Sequence, residues 1–271
     1  VRKLSLTCYM AMLLVSSAFA NDWNGKKAAI SFSYDDSLNV HLDIVSPKLE
    51  SADFRGTFYI TAHAEPFRTR LNDFRALAEK HHELGNHTLF HPCNGTGADR
   101  AWVSANGDLS KWNVEKMLAH TEMANTTLEA LDGEKVRTFA YPCGDTKAGK
   151  ESYIAEIAPL FSAARAVGGA PPQIDQVDLR AVPSFVVNGH SFTEMKLLVD
   201  EAIRSGTWLV FLFHGVGGEH SLNISEDTHS TLIDYVKKRQ ADIWVAPLRD
   251  ISIFVDEYQK NATLNDTSLK Q

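Results

Sequence analysis

The chain has 271 residues, 44% hydrophobic and 23% charged, with a formal net charge of −7. That supplies one sizeable core without requiring a second domain, and the acidic balance argues against a nucleic-acid or anionic-membrane partner. Three cysteines are too few for a fold built on disulfides.

The first twenty residues read as a leader. Arg2 and Lys3 precede the apolar run Leu4 to Val15, and Ala18-Phe19-Ala20 is a small-x-small cleavage site. The competing reading is a buried N-terminal helix. Cleavage after Ala20 would send the protein to the periplasm or the medium, remove Cys8 and shift the net charge from −7 to about −9. It would leave a single domain over 21–271 with its core at about 26–258. No other apolar run is long enough to span a bilayer, and nothing points to a protein partner.

After a polar lead-in, Ala28 to Tyr34 is predicted as a strand that ends in Asp35-Asp36. A helix interrupted by Pro47 follows, then a strand at Gly56–Thr61. Leu71, Phe74, Leu77, Ala78 and His81 recur at helical spacing, and Gly85 is expected to close that helix. His87 and His91 come next, and Pro92 stops any helical turn there. A long loop, 92–108, leads to a helix from Val114 to Leu131 closed by Gly133.

Val136 to Tyr141 reads as a strand, with Pro142-Cys143-Gly144 as its turn. A helix at Glu151–Leu160 and short strands at Ala163–Val167 and Val182–Val187 follow. Ser191-Phe192-Thr193-Glu194 is a capping box for a helix ended by Gly206. Trp208 to Phe213 is a continuous apolar run, the mark of a strand buried on both faces, and it ends in His214-Gly215. A helix containing Leu232, Ile233 and Val236, a strand at Ile243–Ala246 and a helix at Leu248–Tyr258 complete the series, with a mobile tail expected after Lys260. Alternating strands and helices predict an α/β fold. About seven units suit an irregular (β/α) barrel of parallel strands with outer helices.

Of the eleven histidines, only His87 and His91 are four apart. Two imidazoles on one turn can ligate one metal ion, and a catalytic site then needs a carboxylate from another strand end. Asp35 and Asp36 offer it. In a barrel the chemistry sits at the C-terminal strand ends. The predicted ends carry Asp35 and Asp36, His87 and His91, Tyr141 to Gly144, and His214. Each alone has an ordinary reading as a cap, a surface pair or a structural histidine. Their joint placement points to a site.

These stretches resemble the polysaccharide deacetylases with the NodB-homology domain, carbohydrate esterase family four. Ser33-Tyr34-Asp35-Asp36-Ser37 is similar to the first family motif, with Ser37 in place of glycine. His87-Thr88-Leu89-Phe90-His91 matches the second, Tyr141-Pro142-Cys143-Gly144 the third loosely, and Leu212-Phe213-His214 the last. The resemblance runs from about Lys26 to Tyr258 and implies a metal-dependent deacetylase. It would remove N-acetyl or O-acetyl groups from a polysaccharide or oligosaccharide. Asp36, His87 and His91 would hold a divalent metal, commonly zinc. Asp35 would be the general base and His214 the acid. Tyr141, Pro142, the Cys143 backbone N–H and Leu212 would form the oxyanion and acetyl pocket.

Ala140 stands where many members carry an arginine that orients the base, and Arg165 is the candidate replacement. The family motif that tunes the acid histidine is not recognisable; Asp175 and Asp178 are candidates by position. Trp102, in the long loop, is the candidate for stacking on a sugar. The family places the motifs before Cys93 and Cys143 around one metal, so these two are candidates for a disulfide, with two buried thiols as the alternative. Two other functions stay open: a non-catalytic carbohydrate-binding protein on the same scaffold, and an amidohydrolase of small cyclic amides. The polymer is not identified.

Overall fold

The computed structural model describes residues 23–268. The leader assigned to residues 1–20 lies outside them. Eight parallel strands form the main sheet: β1 (Ala28–Asp35), β2 (Thr57–Ile60), β3 (Glu83–Asn86), β4 (Phe139–Ala140), β5 (Ala164–Arg165), β6 (Phe185–Val186), β7 (Trp208–Phe213) and β8 (Ile243–Val245). Their order is β5-β4-β3-β2-β1-β7-β6, and β8 pairs with the first half of β1. Between the two ends of this series the chain crosses at 182–186. Val182 donates to the Ala164 carbonyl and accepts from the Ala166 N–H, while Phe185 and Val186 pair with β7. The result is an irregular (β/α) barrel, as the alternation predicts.

The period-two geometry of β1 decides what faces inward. Ile30, Phe32 and Tyr34 pack outward with Phe58, Phe211 and Phe213 and against the helices. Ala29 belongs to the opposite cluster with Trp208 and Val210. Ser31 and Ser33 share that alternate register and donate to the carbonyls of Ala246 and Phe211. Asp35 is the next residue in that register, so the pleat that buries Tyr34 in the apolar layer carries Asp35 to the barrel mouth. Strand β7 is buried at every position, as its unbroken apolar run predicts.

The outer helices include α1 (Ser46–Ser51), α2 (Glu65–Thr69), α3 (Leu71–Glu79), α4 (Val114–Asp132), α5 (Ile154–Ile157), α6 (Phe192–Ser205), α7 (Glu226–Lys238) and α8 (Leu248–Ser268). The predicted capping box at Ser191 and Glu194 is present, and Gly133 and Gly206 end α4 and α6 in the left-handed region. Pro47 lies in the first turn of α1, directly after a π-helical stretch at His41–Val45, so the helical run continues through it with the wider turn placed just before the proline.

Four expectations need correction. Gly85 does not close α3, which stops at Glu79; it lies inside β3. A Cβ there would come within 2.5 Å of the Tyr59 ring, so the glycine gives room to an aromatic neighbour. The helix assigned to Glu151–Leu160 is reduced to α5 and a short 3₁₀ turn, because Glu151 and Ser152 pair with Lys147 and Ala148. The strands assigned to 136–141, 163–167 and 182–187 shrink to two paired residues each. The segment after Lys260 is no loose tail, because α8 continues to Ser268.

Candidate active site and metal centre

The candidate residues meet at the C-terminal mouth of the barrel. Asp35 is the last residue of β1, His87 follows β3, Tyr141 follows β4, Arg165 ends β5 and His214 follows β7. They surround a cavity of about 530 Å³. Asp35, Asp36, His87, His91, Tyr141, Cys143, Leu212, His214 and Trp102 all line it. Pro142 is buried and absent from the lining, and Arg165 lies behind Asp35.

The segment 87–91 makes its turn without a helix. Thr88 and His91 have φ of 66° and 50°, and the two imidazoles end with centroids 4.6 Å apart. Asn86 holds the turn: its side-chain oxygen accepts from the Thr88 N–H, and its amide donates to Thr121 and Asn125 on α4. Asn86-His87-Thr88 has the pattern of an N-glycosylation acceptor, but Asn86 is fully buried and closed to that modification in the folded protein. Across the mouth, Asp36 and Ser37 have φ of 78° and 58°. The Ser37 hydroxyl accepts from the Thr61 N–H, which holds an L-residue in a region that favours glycine.

Asp36 sits among four imidazoles. Its Oδ1 is 3.7 Å from His87 Nε2 and 3.5 Å from His91 Nε2. Its Oδ2 is 3.7 Å from His220 Nε2 and 3.9 Å from His214 Nε2. The first trio suits a divalent metal, since two imidazole nitrogens and a carboxylate oxygen converge within 4.8 Å of one another. His87 Nδ1 donates to the Ala140 carbonyl over 2.9 Å, so its Nε2 lone pair is left for an ion. Burial pulls the His87 pKa down to about 4, against the pull of Asp35, and keeps the ring neutral.

The second trio, Asp36, His214 and His220, is a different case. The Leu222 N–H donates to His220 Nδ1, so neutral His220 carries its proton on Nε2 and presents a donor to the cavity. Its ring stacks on His214 at 4.5 Å and 14°. His220 was not singled out in the sequence. The signal was the glycine-rich stretch between the two histidines: a Cβ at Gly215 would meet the Gly218 carbonyl at 2.2 Å, so the chain folds back there and returns a histidine to the mouth. His41 was also missed. It is fully buried and donates to the His214 carbonyl, tying the helical segment after β1 to the end of β7.

Asp35 and Arg165 form a buried ion pair at 2.6 Å. The guanidinium lies 4.8 Å from the Tyr59 ring centroid, and that ring occupies the space Gly85 leaves. Burial pushes the Asp35 carboxyl up, but Arg165, then His87 and His214, outweigh it and hold the pKa below the usual range. Asp35 is therefore ionised at neutral pH. Its Oδ1 has no hydrogen-bond partner among the described residues. His214 Nδ1 is also without one, and burial holds that ring neutral. Asp175 and Asp178 do not fill the gap: both are exposed, and Asp178 pairs with Arg180.

Residues 22–158 match the family model for polysaccharide deacetylase, just over half of the chain. The chain belongs to the polysaccharide deacetylase family. Among solved structures, a Mycobacterium smegmatis protein assigned to the polysaccharide deacetylases shares the fold, with a TM-score of 0.60 and 16% identity over 87% of this chain and 92% of that one. A pseudoenzyme of carbohydrate esterase family four from Bacillus anthracis shares it at a TM-score of 0.52 and 14% identity, over 83% and 65%. A gellan lyase from Bacillus sp. is 27% identical over 76% of this chain, which spans 8% of the lyase's length. The residues of the quoted motifs meet at the barrel mouth, where Arg165 of β5 pairs with Asp35.

Cys93 and Cys143 are bonded, with Cα atoms 5.8 Å apart. The bond ties the long loop to the turn after β4, where Cys143 has φ of 56°. The loop is also closed at its base, where Cys93 N–H donates to Gly107 and Leu109 N–H to Cys93.

Proposed function

We propose that the protein is an exported, metal-dependent deacetylase that removes acetyl groups from a carbohydrate polymer or its oligomers. The observation that carries this is the ionised Asp35, locked by Arg165 and 3.7 Å from the would-be ligand His87. A merely binding scaffold has no use for a positioned base beside a metal trio.

Asp36, His87 and His91 would hold the ion, with zinc the expected choice for two imidazoles and a carboxylate. When bound, the ion supplies a Lewis acid that lowers the pKa of water and polarises an acetyl carbonyl. Asp35 would accept the water proton at Oδ1, because Arg165 occupies Oδ2. Leu212 would give an apolar wall for the acetyl methyl, and the Cys143 backbone N–H would donate to the developing oxyanion. His214 would pass a proton to the leaving amine or alcohol. Burial keeps it neutral at rest, so it must gain a proton before it gives one. Export rests on the leader at residues 1–20 and agrees with the disulfide.

The experiment is an acetate-release screen over chitin, peptidoglycan, poly-N-acetylglucosamine and acetylated xylan. It is run with and without a chelator and with Asp35→Asn as control. Release from at least one polymer, lost with chelator and in the variant, is expected. No release from any of them by the metal-loaded protein contradicts the proposal.

A further inference from the structure

A second cavity, of about 480 Å³, lies behind the histidine turn. The two cavities have no lining residue in common, but the same two segments, the histidine turn and the loop after it, contribute to both. His87 and His91 face the first and Phe90, from the same turn, lines the second; Trp102 lines the first and Asn106, farther along the loop, lines the second. His63, Trp112, Lys116 and His120 also line the second cavity.

The cavity is large enough for a ligand, and its wall is tied together by hydrogen bonds and ring contacts. The Trp112 indole N–H donates to the Asn106 carbonyl and pins the loop to the wall. His63 N–H donates to the Leu89 carbonyl, so the segment after β2 is joined to the histidine turn. Rings pack along the wall: His63 to Phe90 at 4.8 Å, Phe90 to His120 at 5.3 Å and His120 to Trp112 at 4.5 Å. Lys116 sits over the Trp112 ring at 4.0 Å. Yet Phe90 is 48% exposed and Trp102 64% exposed, so each cavity has a large aromatic side chain in its lining that also meets solvent. His120 Nδ1 has no hydrogen-bond partner among the described residues. Aromatic faces interleaved with amide, hydroxyl, imidazole and ammonium groups suit a pyranose, which has apolar faces and a rim of hydroxyls. No carboxylate lines the cavity, so a cationic ligand is disfavoured.

We infer that this second cavity is a sugar-binding subsite that takes the polymer beyond the residue being deacetylated. The inference rests on the deacetylase reading for its substrate class. The chain would pass from the metal trio over Phe90 to the ring-lined wall. Phe90 and His120 would then set preference for substrate length without touching the reacting acetyl group.

The test uses the full-length, metal-loaded protein with Phe90→Ala and, from a different element, His120→Ala. Calorimetric titration with hexamers of N-acetylglucosamine and of acetylated xylose measures binding. Acetate release from dimers to hexamers gives kcat/KM against length, and 4-nitrophenyl acetate reports the acetyl site alone. Wild type should bind one hexamer. Each variant should bind it about tenfold more weakly and lose the rise of kcat/KM with length, with the small ester hydrolysed as before. Equal hexamer affinity in wild type and both variants, or no binding of either hexamer to wild type, overturns the subsite. Hexamer binding that is weakened in the variants but never followed by acetate release upholds the subsite and counts instead against the deacetylase reading.

Discussion

Arg165 reaches across the barrel to Asp35, from the end of β5 to the end of β1, and donates to Oδ2 at 2.6 Å. The pair is buried, and its guanidinium rests near Tyr59, whose ring fits because residue 85 is glycine. Removing one partner of a buried pair leaves an uncompensated charge. Arg165→Met should raise the Asp35 pKa and misdirect Oδ1. Acetate release should fall by about 10²-fold or more, with metal content kept. Turnover and metal analysis check this, and unchanged turnover with metal present would remove Arg165 from the account.

His220 presents Nε2–H toward Asp36 Oδ2 and stacks on His214. Groups that orient a metal ligand typically set affinity or activity by about 10–100-fold. His220→Ala should lose metal about tenfold more readily to a competing chelator, and His220→Gln should recover part of that loss. Equal metal retention in all three proteins would leave the ring as packing alone.

The Cys93–Cys143 bond closes a loop with a sequence separation of 50 residues. Chain-entropy arguments give such a closure about 4 kcal/mol of stability, and native bonds deliver about 2–5. Cys93→Ser with Cys143→Ser should lower the urea midpoint accordingly and open loop 93–108 to proteolysis. An unchanged midpoint and cleavage pattern would contradict this.

Three buried histidines predict the response to acid. Burial lowers the pKa of His229 to about 3 and of His41 and His82 to about 4. Unfolded histidine titrates near 6.5, so between that pH and about 4 the unfolded chain binds more protons than the native one. Stability is complete above about pH 6.5 and falls as the pH drops through that window, by up to about 1.4 kcal/mol per pH unit for each histidine. Urea unfolding at pH 7 and pH 5 should show the drop. His229→Gln, which keeps a polar partner near Tyr34 without a titrating ring, should reduce the slope. A flat profile from pH 7 to 5 would refute it.

Much of the mouth was legible because its polar residues end apolar runs. Asp35 and Asp36 close β1 and His214 follows β7, so strand patterning put these on one rim, whereas His87 follows β3, a strand read as the end of a helix, and was found by its spacing to His91. Arg165 lies inside the apolar run Ala163–Val167 and was singled out through the resemblance, because Ala140 stands where many family members carry an arginine. What escaped depends on contacts distant in sequence. Gly85 has the look of a helix stop, but its meaning lies in the Tyr59 ring across the sheet. His220 is reached only through a glycine fold-back, which leaves no periodic mark. Strands β4, β5 and β6 pair over two residues each, so their apolar runs overstate their length. Phe90 reads as a spacer between histidines, and its exposure appears only once the turn is built.

The central claim is that two adjacent aspartates do different work, Asp36 as a metal ligand and Asp35 as a base. Metal analysis beside acetate release for Asp36→Ala, His87→Ala and Asp35→Asn tests it most directly. The account predicts that Asp36→Ala and His87→Ala lose metal and activity together. Asp35→Asn should keep its metal while its rate falls by about 10²–10⁴-fold. Full activity in Asp35→Asn, or metal and activity both retained in His87→Ala, would contradict it.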